Sequence, residues 1–115
     1  MNTGFPGNGL DRDLALSRAG GDAELLKEIA ALFIEDYPNV MAEIRAAAVR
    51  GDANGVERAA HGLKGSVANF GAQATVDAAL QIEKMGRAGD LSRVGQAIDT
   101  LAHALNALHP ELEAL

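Results

Sequence analysis

GDLSRVGQAIDTLAHALNAL, residues 89–108, reads as an amphipathic helix with its own start signal. Leu91, Val94, Ile98, Leu101, Leu105 and Leu108 recur at three- and four-residue intervals, the period of one helix face. The opening Gly-Asp occurs twice more, at Gly21-Asp22 and Gly51-Asp52. Glycine suits the left-handed position that closes a helix. An Asp side chain caps the first free N–H groups of the next one. A fourth break falls at Gly71, without the Asp.

Four breaks give five helices, roughly Asp11 to Ala19, Ala23 to Arg50, Ala53 to Phe70, Ala72 to Met85, and Leu91 to Leu108 or a little further. Pro38 falls inside the second, where it removes a backbone hydrogen bond and predicts a kink. The apolar spacing continues across it through Leu26, Ile29, Phe33, Val40 and Ile44. Short connections between amphipathic helices make antiparallel neighbours. The expected fold is all-α: an antiparallel up-down four-helix bundle over residues 10–115, with a short additional N-terminal helix against one end. Residues 1–9, MNTGFPGNG, read as a flexible lead-in.

Composition narrows the function. The chain has 115 residues, enough for one domain with a workable core. Cysteine is absent, which excludes disulfides and thiolate metal sites. The formal net charge is −6 with no Lys/Arg cluster, which argues against a nucleic-acid partner. No apolar run approaches the ~20 residues of a membrane span, and no signal peptide is visible. The expectation is a cytoplasmic, monomeric domain without membrane insertion.

The third helix holds the chemistry. Val56, Ala60, Leu63, Val67 and Phe70 fall within about ±40° on the helical wheel and form its core stripe. His61 lies about 140° from Val56 and faces out of the core. Around it the helix is stripped of bulk, with Gly62 beside it, Gly65 one turn on and Ala68 nearly two. Each helical glycine costs about 1 kcal/mol against alanine. The cleared patch lets another macromolecule lie flat on the helix and reach the imidazole. Lys64, three residues on, brings a cation within reach of His61, suited to holding an anion such as a phosphoryl group.

The run His61-Gly62-Leu63-Lys64-Gly65-Ser66, followed by Gly71-Ala72, resembles the active motif of histidine-containing phosphotransfer (HPt) domains, the four-helix bundles of two-component phosphorelays. The resemblance extends from about Leu10 to Leu108. It implies that His61 is the phosphoacceptor, Lys64 the cation beside the phosphoryl group, and Gly65 the clearance position for a receiver domain. Ser66 matches a small hydroxyl that often closes the motif, with a local structural role equally open. A polar side chain on the fourth helix of similar domains hydrogen-bonds the histidine. Glu83 takes that place here and would fix the imidazole tautomer, with Arg87 one turn further. Read without the resemblance, Glu83 and Arg87 are an ordinary i,i+4 surface pair. Gly62 departs from the family, where a larger residue often follows the histidine.

The resemblance also implies partners. They are response-regulator receiver domains and a hybrid sensor histidine kinase. The resemblance implies that the receiver brings Mg²⁺; the chain itself shows no P-loop, no kinase signature and no carboxylate cluster around His61, and is not expected to use ATP by itself. Docking is expected near His61, on Gly65, Ala68 and the rim of the first two helices. A histidine-kinase dimerisation domain would place an acidic residue straight after the histidine, where Gly62 stands. A di-metal bundle would aim Glu-x-x-His pairs inward, whereas Glu57/His61 and Asp99/His103 are i,i+4 and aimed elsewhere. His103 and His109 read as surface residues, His109 at a helix end before Pro110. An adaptor bundle that binds receivers without phosphotransfer is the remaining alternative.

Overall fold

The computed structural model describes residues 9–115. The lead-in expected over residues 1–9 therefore lies, Gly9 apart, outside the described residues. Five helices follow: α1 Arg12–Arg18, α2 Ala23–Val49, α3 Ala53–Ala68, α4 Gln73–Ala88 and α5 Val94–Glu113. The turns between them are residues 19–22, 50–52, 69–72 and 89–93. Connections this short set successive helices side by side and antiparallel. α3 packs between α2 and α4, and α5 closes the ring between α4 and α2. α1 touches α2 alone among the helices. It is tied to the α3–α4 turn by the Asp11 N–H, which donates to the Phe70 carbonyl at 2.9 Å.

The Gly-Asp signals work at two of their three positions. Asp22 accepts from the N–H groups of Glu24 and Leu25 at 3.0 and 3.1 Å. Asp52 accepts from the Gly55 N–H at 2.9 Å, one residue after Gly51 turns the chain at φ +72°. Asp90 does something else. It accepts from the N–H and the hydroxyl of Ser92, at 3.1 and 2.7 Å, and so closes a turn of its own. α5 therefore starts at Val94 rather than Leu91, capped by no side chain.

Two other boundaries move, and α2 keeps its expected span. α4 runs past Met85 to Ala88 and stops at Gly89, φ +70°. α2 is continuous across Pro38, which sits on the solvent face between the buried Tyr37 and Met41. α5 passes through Pro110 and ends at Glu113, adding Leu112 to its buried stripe. The sequence reading ended it at Leu108 or a little further, with His109 at the helix end before Pro110. The helix continues because Leu112 extends the apolar face by another turn.

That extension corrects His109. It is half-buried inside the helix, and its Nδ1 lies 2.6 Å from the Tyr37 hydroxyl. Burial, then the charge of Glu113, raises the Tyr37 pKa above its ordinary value. His103 is exposed, as expected.

The core is the set of stripes predicted from periodicity. Val56, Ala60, Leu63 and Val67 of α3 and Ile98, Leu101, Leu105 and Leu108 of α5 are all buried. Each large aliphatic side chain among them contributes about 1.5–3 kcal/mol. Phe33 stacks on Tyr37 at 5.3 Å and meets the edge of Phe70 at 5.4 Å, which pins α2 to the end of α3.

Candidate functional site

His61 stands on α3 with 68% of its side chain exposed, at the seam with α4. Its Nδ1 lies 3.2 Å from Glu83 Oε2. Glu83 is the inverse case: a carboxylate only 2% exposed, next to Ile82 in the α4 core face. Burial of a carboxylate requires partners, and three basic side chains supply them. Lys64 Nζ lies 2.7 Å from Oε1. Arg87 Nη2 donates to Oε2 at 2.7 Å, and His61 completes the set. Arg87 Nε in turn donates to Glu57 Oε2 at 2.9 Å, so Arg87 straps α4 back onto α3.

The electrostatics follow from these contacts. The Lys64 ammonium holds the Glu83 carboxyl below the ordinary carboxylate value, burial opposes it, and His61 adds to the lowering. Glu57, then Glu83, holds the Arg87 guanidinium firmly protonated. Glu83 is thus an ionised carboxylate with no proton to give. In its contact with His61 it can only accept, so the ring carries its proton on Nδ1. Nε2 has no hydrogen-bond partner among the described residues, on a side chain that is 68% exposed.

Backbone packing makes that reach possible. A Cβ added at Gly86 would lie 2.7 Å from the Glu57 nitrogen and 2.8 Å from the Ala53 carbonyl oxygen. α4 therefore crosses α3 at near backbone contact, one turn beyond Glu83. The sequence reading missed Gly86 by ending the helix at Met85. A lone glycine inside a helical pattern is also a signal of close approach. Gly62 and Gly65 are the opposite. A Cβ at either would meet nothing within 4 Å. The fold gives no steric reason for either glycine.

The remaining predicted residues divide. Ser66 Oγ donates back to the Gly62 carbonyl at 3.2 Å, the local role left open from sequence. Ala68 is half-buried, further along α3. The surface-pair reading of Glu83 and Arg87 fails, because Glu83 is buried beside His61. One residue was misassigned and one went unnoticed. Glu57, weighed only as a metal ligand with His61, anchors Arg87 instead. Arg58, exposed and three residues before His61, lines the same cleft as His61, Glu57 and Glu83. Among the described residues no carboxylate pairs with it, and the i,i+3 spacing was the available signal.

The family model of the Hpt domain matches residues 28–111, from mid-α2 to the end of α5. The chain belongs to the Hpt domain family. Its function is that of a phosphocarrier in a two-component phosphorelay. Two solved structures share the fold. Histidine-containing phosphotransfer protein B of Pseudomonas aeruginosa superposes with a TM-score of 0.85 at 22% identity over 91% of each chain. The HPT domain of a sensor hybrid histidine kinase from Shewanella gives 0.77 at 20%, again over 91% of each. No curated protein sequence matches the chain.

Proposed function

We propose that His61 accepts a phosphoryl group from the phospho-aspartate of a response-regulator receiver and passes it to the aspartate of another. The carrying observation is the asymmetry of the imidazole: Nδ1 is held by buried Glu83, Nε2 has no partner among the described residues, and a Cβ at Gly62 or Gly65 would meet nothing. The Nε2 lone pair attacks phosphorus. The N–P bond forms as the P–O bond of the acyl phosphate breaks, and the aspartate carboxylate leaves. The Nδ1 proton stays on the ring. Discharge is the reverse with a second aspartate.

Such a transfer depends on alignment and charge neutralisation. Glu83 fixes the ring, and Arg87 and Glu57 fix Glu83. Lys64 and Arg58 flank His61 by three residues on either side, and either can meet the phosphoryl oxygens. The carboxylates closest to the ring, Glu83 and Glu57, are both engaged by cations. Mg²⁺ is therefore assigned to the receiver, with the receiver's own lysine. Gly65 and Gly62 admit the receiver, and Ala68 extends its footprint. The domain acts as a monomer in the cytoplasm, loaded within a phosphorelay that begins at a hybrid sensor histidine kinase. No helix among the described residues is long and apolar enough to cross a membrane, which fits that setting.

The test is transfer from a ³²P-labelled receiver. The label on this chain should be stable to base, labile to acid and absent in His61→Gln. Binding of receivers with no transfer from any of a panel would establish the adaptor alternative.

A further inference from the structure

We infer that Arg58 signals the phosphorylation state of His61 to the partner. Phosphorylation draws its guanidinium out of the α2–α3 groove, and the loaded carrier then offers Asp36 and Glu43 there to a receiver surface that carries Lys or Arg. The inference rests on His61 being the phosphoacceptor.

Arg58 belongs to two grooves. It lies about 160° from Val56 on the helical wheel, on the crest of α3 away from the core. On one side it lines the α3–α4 groove with Glu57, His61, Glu83 and Arg87. On the other it lines the α2–α3 groove with Asp36, Val40, Glu43 and Ser66. Gly62, beside His61, is common to both. An exposed arginine on such a crest can turn its guanidinium to either side.

Charge decides which side it takes. In the α3–α4 groove both carboxylates are engaged, Glu57 by Arg87, and Glu83 by Lys64 and Arg87. In the α2–α3 groove Asp36 and Glu43 are exposed and join no ion pair among the described residues. The other cations of α2, Lys27 and Arg45, lie about 160–180° from those acids around the helix. Arg50, at the end of α2, is paired with Asp52. Arg58 is the one cation lining the α2–α3 groove. In the empty carrier it therefore offsets the two acids.

Phosphorylation reverses the balance. A phosphoryl group brings about two negative charges to His61, one turn from Arg58. Lys64 is already committed to Glu83 at 2.7 Å, so Arg58 is the cation free to move. A guanidinium meets phosphoryl oxygens with two parallel N–H donors. Once it has turned, Asp36 and Glu43 stand uncompensated in a groove that leads to the reacting histidine. A receiver with Lys or Arg facing α2 gains that attraction in the loaded state. Reciprocally, its docking favours the turn of Arg58 toward the phosphoryl group.

Phosphoramidate loads His61 without a receiver. The Arg58 Nε–H signal, assigned by its absence in Arg58→Gln, is followed by ¹H–¹⁵N NMR with the carboxyl ¹³C signals of Asp36 and Glu43. Loading should move all three and slow exchange of the Arg58 Nε–H with water. Binding is read with the receivers of the transfer panel, their acceptor aspartate replaced by asparagine so that no phosphoryl group moves. At least one should bind the loaded carrier about fivefold or more tighter than the empty one. That ratio should fall severalfold when Asp36→Asn and Glu43→Gln are combined, two exposed positions where the fold is insensitive to the change. An Arg58 signal indifferent to loading would overturn the inference. So would a ratio unchanged in the double variant, or a panel that binds both states alike. A His61 that phosphoramidate cannot load overturns both readings. A moving Arg58 with no receiver able to exchange the phosphoryl group would remove the carrier reading alone.

Discussion

The two nitrogens of His61 differ because only one of them has a partner. Sequence placed the histidine outside the core by a wheel angle and took the tautomer from a resemblance. The structure adds the burial of Glu83, which falls at the helical spacing of the buried Ala79, Ile82 and Gly86 and so lies on the core face of α4. Two substitutions separate the roles of the cations. Lys64→Ala leaves the buried carboxylate without its closest charge on Oε1, and should cost about 1–3 kcal/mol of stability in a denaturant titration. Arg58→Gln touches no carboxylate among the described residues. It should leave stability within about 0.5 kcal/mol while slowing transfer from a receiver several-fold. Unchanged transfer rates would show that Arg58 has no part in holding the phosphoryl group.

At the scale of elements, glycine has two meanings here, and the sequence distinguishes them poorly. Gly86 permits α4 to touch the backbone of α3, and Gly65 leaves α3 bare. Both lie within helices, Gly65 in α3 and Gly86 in the last turn of α4. Alanine scanning tells them apart. Gly86→Ala should destabilise the domain by about 1–3 kcal/mol, because the clash is with backbone. Gly65→Ala should stabilise it by about 0.5–1 kcal/mol, the ordinary gain of alanine over glycine in a helix. That same variant should lose receiver transfer. A Gly65→Ala protein that is more stable and still fully active would mean that the cleared patch is not the approach surface. The helix ends were legible where Asp capped the next N–H groups and illegible at Asp90 and Pro110. There the outcome turned on a serine two residues away and on a buried leucine past the proline.

For the whole molecule, periodicity and punctuation were enough to give five helices and a bundle, because the stripes on α3 and α5 are nearly uninterrupted. The coupling of α3 to α4 through Glu57, Arg87, Glu83 and Lys64 was not legible, because it pairs residues up to 30 apart in the chain. That coupling makes stability depend on pH. The native Glu83 carboxyl titrates below its unfolded value, so its contribution is fully present above the ordinary carboxylate pKa. It fades as pH falls through that value toward the lowered native one. The thermal midpoint of wild type should therefore drop more steeply below about pH 5 than that of Glu83→Gln. Equal slopes would deny Glu83 this role. The most direct test of the whole account is which ring nitrogen carries phosphorus after transfer from a phosphorylated receiver, read from ³¹P–¹⁵N couplings in labelled protein. The geometry requires the phosphoryl group on Nε2 of His61 with hydrogen still on Nδ1, whereas phosphate on Nδ1, or none on His61, would contradict it.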